Sequence, residues 1–326
     1  MKRLVGHIIL LLLVTGSTHL AAQKEPVYSQ YILNGFMINP SMAGYDGYTS
    51  FNTTARQQWL GWKDAPQTYS ASWQTRILRH DYKIVNHPMR RKNMLIPSNK
   101  GRVGLGAFII NDVNANVART WVSFTYAYHI ILNNQQLSFG LAAKAFQHRL
   151  YTEALTFNQA GDPVELNAVA YSPDADVGVQ FRGFDYFVGF SVSNLLQTSV
   201  LIGANEFYND FKIPRHYWLM GGYRFMLSPD VELEPSALLK TTEQWNPQGD
   251  FSLRLYYSDL FWGGVSYRTD QSIIAMIGLR VESLHFGYSF DWALSEIGHF
   301  NYGSHEITLS VKLGSNARRY KWLNRY

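Results

Sequence analysis

From about residue 47 to residue 314, apolar and polar side chains alternate with a period of two. Near the end of the chain Ile307, Leu309, Val311 and Leu313 share one parity, while Glu306, Thr308, Ser310 and Lys312 share the other. Successive side chains on a strand point to opposite faces, so this pattern predicts a strand with one apolar and one wet face. The same split recurs in Phe251, Leu253, Leu255 and Tyr257 against Ser252, Arg254 and Tyr256. It recurs again in Leu284, Phe286, Tyr288, Phe290 and Trp292 against His285, Gly287, Ser289 and Asp291, and in Leu137, Phe139, Leu141 and Ala143 against Ser138, Gly140 and Lys144. Segments of this kind predict strands near 47–58, 67–77, 101–113, 117–131, 135–149, 173–183, 185–196, 215–228, 231–242, 248–258, 260–269, 272–281, 284–294 and 303–314. Turn residues such as Asn133-Asn134, Ser228-Pro229-Asp230 and Thr269-Asp270 separate them.

A soluble sandwich also alternates, so the distribution of charge decides between the two. Lys144, Asp176, Arg182, Arg224, Glu232, Glu234, Lys240, Arg254, Arg268, Arg280 and Asp291 all fall on the polar parity. The opposite parity is almost free of charge and rich in Leu, Ile, Val and Phe, as a face in contact with hydrocarbon must be. Charged residues make up 16% of the chain and aromatic ones 15%, against about 25% charged in soluble domains. No window after residue 22 is apolar enough for a helical span, and lipid permits only helices or closed barrels. The expectation is all-β: a transmembrane outer-membrane β-barrel of about 14 antiparallel strands, with Trp121, Tyr217-Trp218, Phe261-Trp262 and Trp292 in interfacial girdles.

The ends of the chain extend this picture. Lys2 and Arg3 precede the apolar run from Ile8 to Val14, and small residues follow up to Ala21 and Ala22. That is the layout of a secretory signal peptide over 1–22, and the run is too short to span a bilayer. With no cysteine, neither disulfides nor an acylated N-terminal Cys contributes. Residues 23–46 are too irregular to cross a membrane and too apolar to float free, so they are expected inside the barrel as a plug or hatch. The barrel then covers 47–314 and a basic tail 315–326. An even strand count puts both termini in the periplasm and the segments around 150–171, 197–214 and 295–302 outside the cell, while the long connection 78–100 falls on the periplasmic side.

Candidate chemistry is sparse. The ten histidines are scattered, and neither a zinc motif, a nucleophile elbow nor a phosphate loop occurs. Gly101-Arg102-Val103-Gly104-Leu105-Gly106 opens a strand rather than a helix, so it reads as small lumen-facing residues instead of a dinucleotide turn. No catalytic, metal or cofactor site and no enzyme activity is predicted, and an exported chain excludes nucleic acid. Glu153, Asp162, Glu165, Asp174 and Asp176 read as a solvated acidic outer segment. The net charge is only +5, but Arg79, Lys83, Arg90, Arg91, Lys92 and Lys100 gather in the periplasmic connection beside a single acid, Asp81. Such a surface suits an acidic partner or lipid headgroups.

Three stretches, YSQYILNGFMINPSMAGYDG, ARQQWLGWKDAPQTYSASW and FNYGSHEITLSVKL, resemble the PorP/SprF outer-membrane proteins of the type IX secretion system. The likeness rests on Gln30-Tyr31, Asn39-Pro40, Ala43-Gly44, Arg56-Gln57-Gln58-Trp59, Gly61, Ala65-Pro66 and Gly303-Ser304-His305-Glu306, and it covers nearly the whole mature chain. It implies a barrel of the fatty-acid-transporter type in the outer membrane that works in protein export and, in some members, gliding motility. It also implies as partners a periplasmic lipoprotein ring complex and cargo with a C-terminal sorting domain, besides the membrane lipids. The basic insert is longer than the usual family connection. Two other classes are a channel for small hydrophobic molecules, which the charged inward parity disfavours, and an outer-membrane lipase, for which no Ser/His/acid set is visible.

Overall fold

The structure, a computed structural model, describes residues 28–77, 82–86, 93–97, 102–132, 135–152, 169–200, 211–258 and 260–314. Fourteen strands form one wall. They are β1 (Thr49–Gln57), β2 (Gln67–Ile77), β3 (Val103–Asn114), β4 (Val117–Leu132), β5 (Gln135–Leu150), β6 (Val169–Arg182), β7 (Tyr186–Ser193), β8 (His216–Tyr223, resumed at Phe225–Met226), β9 (Val231–Thr242), β10 (Gln248–Tyr257), β11 (Phe261–Arg268), β12 (Ser272–Val281), β13 (Leu284–Ala293) and β14 (Ser304–Leu313). Each pairs antiparallel with its sequence neighbours, and β1 pairs with β14 from Thr49↔Leu313 to Gln57↔His305, which closes the barrel. Closure leaves no unpaired strand edge within this fourteen-strand wall, the condition for putting backbone in hydrocarbon.

The register turns the alternation into two surfaces. Lys144, Asp176, Arg182, Arg224, Glu234, Lys240, Arg254, Arg268 and Asp291 are buried in the lumen, with Glu232 and Arg280 partly so. Outward residues remain open, among them Phe124 at 68% and Ile277 at 60%. Strand limits follow the sequence closely except in β6. Pro173 lacks an N–H and is expected to begin that strand, but Val169 to Ser172 still pair with Arg149 to Phe146 of β5.

Three aromatic assignments are corrected. Trp121 and Trp218 are buried, at 5% and 3% exposed, and point into the lumen with Trp262 rather than joining a girdle. Trp121 packs on Phe146, Ala170 and Ile213, Trp218 sits under the Lys240 ammonium, and Trp262 occupies the space a side chain at Gly278 would need. Phe261 and Trp292 do face outward.

The two ends of the barrel differ. At one end the connections are 58–66, 115–116, 151–168, 194–215, 243–247, 269–271 and 294–303, hereafter the loop end. At the other, the turn end, they are short except for 78–102. That connection contains a two-stranded pairing of Tyr82–Asn86 with Asn93–Pro97, and 194–215 contains one of Ser199–Val200 with Phe211–Lys212.

The apolar core lies inside the barrel. A short helix α1 (Gly35–Ile38) and a 3-10 turn (Pro40–Met42) precede β1. Tyr31, Phe36, Ile38, Met42, Ala43 and Tyr45 from this segment pack against Phe108, Ala127, Phe187, Trp218, Met220 and Leu238 of the wall. Phe36 meets Phe108 edge to face at 5.8 Å between ring centroids, a favoured aromatic geometry.

Candidate functional site

Residues 28–46 run through the lumen and are held at three levels. Near the loop end, the Glu306 carboxylate accepts the backbone N–H of Ser29 at 2.8 Å and of Gln30 at 3.0 Å. The Ser29 hydroxyl donates to Asp291, 2.6 Å from Oδ2. One guanidinium joins the two acids: Arg56 donates to Glu306 at 3.0 Å and to Asp291 at 2.7 Å, and also contacts the Ser29 hydroxyl. Arg268 extends the chain of charge, chelating Asp250 through Nε and Nη2 at 2.8 and 2.9 Å. Glu306 is completely buried, and charge-assisted bonds on both oxygens are what make a buried carboxylate tolerable.

At mid-height the wall makes room for the segment. Gly140 and Gly178 face each other across β5 and β6. A Cβ on Gly140 would come within 2.2 Å of the Pro40 backbone, and one on Gly178 within 2.1 Å of Asn39 Oδ1. Into this cradle Asn39 donates from Nδ2 to the Val179 carbonyl at 3.1 Å and accepts from Ser41 N at 3.0 Å. Gly106 clears the Phe36 ring and Gly287 clears Gln30 in the same way. Tyr31 reaches across and donates from its hydroxyl to Ser236 Oγ at 3.0 Å.

Near the turn end the contacts are to backbone and a lysine. His129 Nε2 lies 2.9 Å from the Ala43 carbonyl, which only accepts, so this nitrogen carries the proton and Nδ1 accepts from Ser138 at 2.8 Å. Gln136 takes the Arg76 guanidinium on its oxygen at 3.0 Å and donates to the Tyr45 carbonyl at 3.3 Å. Gly44 has a φ of +63°, and a Cβ there would lie 2.4 Å from the Thr75 carbonyl oxygen. Glycine alone fits the turn that redirects the chain into β1. Lys312 binds Asp46 at 2.9 Å.

Most residues that carried the sequence resemblance meet here. Gln30, Tyr31, Asn39, Pro40, Ala43 and Gly44 form the segment's contacts, and Arg56 and Glu306 its loop-end anchor. The others build a pair of loops directly above that anchor. Leu60 N donates to Gly303 O at 2.8 Å, Tyr302 N to Leu60 O at 2.8 Å, Trp59 N to Ser304 Oγ at 3.2 Å, and Gln58 N to Pro66 O at 2.9 Å. Gly61, at φ +99°, leaves space for the Tyr302 ring. Gln57 pairs with His305, and His305 points outward to the Tyr288 hydroxyl at 2.8 Å.

Other sequence expectations fare differently. Arg79, Arg90, Arg91, Lys92 and Lys100 lie outside the described residues, as do 1–27 and 315–326; Lys83 falls in the strand Tyr82–Asn86. Asp174 and Asp176 are not part of a solvated acidic segment. They are buried on β6, where Asp176 binds Lys144 at 3.0 Å and accepts from Asn194 N at 2.9 Å, while Asp174 accepts from Leu196 N at 2.9 Å. Glu153, Asp162 and Glu165 lie outside the described residues. The parity rule also places the chain before β1 at the turn end, yet Ser29 and Gln30 lie near the loop end, because the segment doubles back through the lumen. Their partners Asp291 and Glu306, and Ser236, the partner of Tyr31, are more than 200 residues away, which local pattern cannot reveal. The inward glycines were the available signal.

A closed antiparallel β-barrel with a charged lumen and an apolar exterior is an outer-membrane barrel protein. The chain belongs to the PorP/SprF family, since the family described as type IX secretion system membrane protein PorP/SprF matches residues 20–311. No curated protein sequence matches it. Among solved structures it is similar in fold to the Ralstonia pickettii toluene transporter TbuX, with 11% identity, a TM-score of 0.46, and 86% of this chain and 93% of that one covered. It is also similar to the CymD monoaromatic hydrocarbon channel, with 11% identity, a TM-score of 0.44 and 86% and 91% covered. The Acinetobacter baumannii outer membrane protein Omp33 gives 5% identity, a TM-score of 0.42 and 82% and 100% covered.

Proposed function

We propose that this protein is a non-enzymatic outer-membrane component of the type IX secretion machinery that anchors periplasmic parts of the machinery and assists export of cargo proteins, with a further role in gliding motility. The family match over residues 20–311 carries this reading. The lumen is consistent with it: segment 28–46 packs inside the barrel against its wall, which suits an anchor and adaptor better than an open pore. The periplasmic partner is a lipoprotein ring complex, met by the cations Arg79, Lys83, Arg90, Arg91, Lys92 and Lys100, and the cargo carries a C-terminal sorting domain.

Deletion of the gene is expected to remove a defined set of proteins from the culture supernatant and cell surface, read by mass spectrometry. A pull-down with the barrel as bait recovers the lipoprotein ring, and reversing Arg90, Arg91 and Lys92 to Glu releases it. Unchanged secretion, together with lost uptake of a small hydrophobic compound, would replace this reading with that of a channel.

A further inference from the structure

A groove crosses the outward face of the wall from β8 to β12. One row of paired residues along it is Gly221, Ala237, Phe251, Tyr267 and Ile273. The next row toward the turn end is Pro235, Leu253 and Val265, with Tyr223 at the β8 end of the groove. Its volume is about 740 Å³, within the size range of small-ligand sites. Phe251, Leu253, Val265, Tyr267 and Ile273 are each about half exposed and share the parity that faces hydrocarbon. Ser236, between Pro235 and Ala237, points the other way to the Tyr31 hydroxyl.

The trough follows from side-chain size. Gly221, Ala237 and Pro235 are short, while the flanking rows carry Leu219 and Leu239 on the loop side and Phe225, Leu233 and Leu255 on the turn side. Packing fixes both walls. Phe251 and Leu239 close over Gly249, where a Cβ would lie 3.1 and 3.2 Å from them, and Tyr223 packs on Phe225 with ring centroids 4.5 Å apart. The floor stays open, since a Cβ on Gly221 would meet nothing closer than the Phe187 carbonyl oxygen at 3.4 Å.

Dimensions and direction select the occupant. From β8 to β12 the groove crosses four inter-strand gaps, roughly 19 Å at about 4.8 Å each. Strands in such barrels tilt by about 35–45°, so a line across them is oblique to the bilayer. The groove accordingly runs from Tyr223, the last residue of β8 at the turn end, to Ile273, the second residue of β12 at the loop end. One leaflet of a hydrocarbon core about 30 Å thick holds chains of about 15 Å. A single acyl chain laid obliquely fits that length and supplies the dispersion contacts that an empty trough forfeits. The wall of a second barrel is convex and meets the flanking Leu and Phe rows first, which leaves the floor unfilled. The short floor residues lie on β8 and β9, toward the turn end, where the sidedness read from the strand count places the phospholipid leaflet.

We propose that the groove over β8 to β12 is a binding site for one acyl chain of a phospholipid from the turn-end leaflet, kept as a retained lipid. The site depends on the outward face lying in hydrocarbon and not on the export reading.

The test uses the full-length protein in phosphatidylethanolamine vesicles doped with a phospholipid that carries a diazirine in its acyl chain. After illumination, adducts are expected to be enriched on Leu253 and Val265 over Ile109 and Leu141, which match them in exposure on the far side of the barrel. Gly221→Phe and Ala237→Phe each fill the floor with an apolar group and are expected to abolish the excess, whereas Ala143→Phe on β5 preserves it. Native mass spectrometry in detergent is expected to find one phosphatidylethanolamine per barrel, lost in both filling variants. Equal labelling of the two sides, or an excess that survives both filling substitutions, overturns the proposal. Retention of lipid A from native membranes in place of phospholipid also overturns it. So does a disulfide-linked dimer formed by Leu253→Cys but not by Leu141→Cys in this cysteine-free chain, since it places a second barrel over the groove.

Discussion

Arg56 holds two carboxylates and a hydroxyl on one guanidinium, a geometry that the planar fork of arginine supports and a lysine ammonium does not. Removing it leaves Asp291 and Glu306 buried with less compensation. Arg56→Met is therefore expected to destabilise the barrel by about 3–5 kcal/mol, seen as a lower temperature for the folded-to-unfolded band shift on electrophoresis in detergent. Adding Glu306→Gln to Arg56→Met is expected to restore part of the loss. Individual side chains were legible where parity alone decides, as for Arg254 and Glu234, which meet at 2.7 Å. Trp121, Trp218 and Trp262 were misplaced because an aromatic at a strand end suits a girdle equally well. Their parity, shared with Ser123, His216 and Ser266, was the better guide.

On the scale of elements, period two carries strand identity and the turn residues carry the limits, so all fourteen strands were readable from the chain. The lumen segment was not readable in detail. Its helical turn is four residues long, too short for periodicity, and its contacts are long-range. The inward glycines of β3, β5, β6 and β13 are the wall's half of that interaction. Gly140→Val is expected to expel or tilt the Asn39-Pro40 turn and raise ion conductance, with the barrel still resistant to added protease. Gly263→Val is the matched control, since a Cβ there meets nothing closer than 3.7 Å, and it is expected to leave conductance unchanged.

For the molecule as a whole, the outward face must match the bilayer. Leu309 lies mid-strand on β14 and is half exposed, so Leu309→Arg places a charge near the hydrocarbon centre at a cost of about 2–4 kcal/mol. A reduced folded fraction in phospholipid vesicles, with folding in detergent retained, is the expected outcome. Arg56 and Glu306 are also direct partners in the register that joins the first strand to the last. The clasp on Ser29 thus exists only once the final strand has zipped to the first. A polypeptide truncated before residue 306 has an open seam and lacks the carboxylate that takes the Ser29 and Gln30 N–H groups, so full seating of the segment in the bore waits on insertion of the last strand.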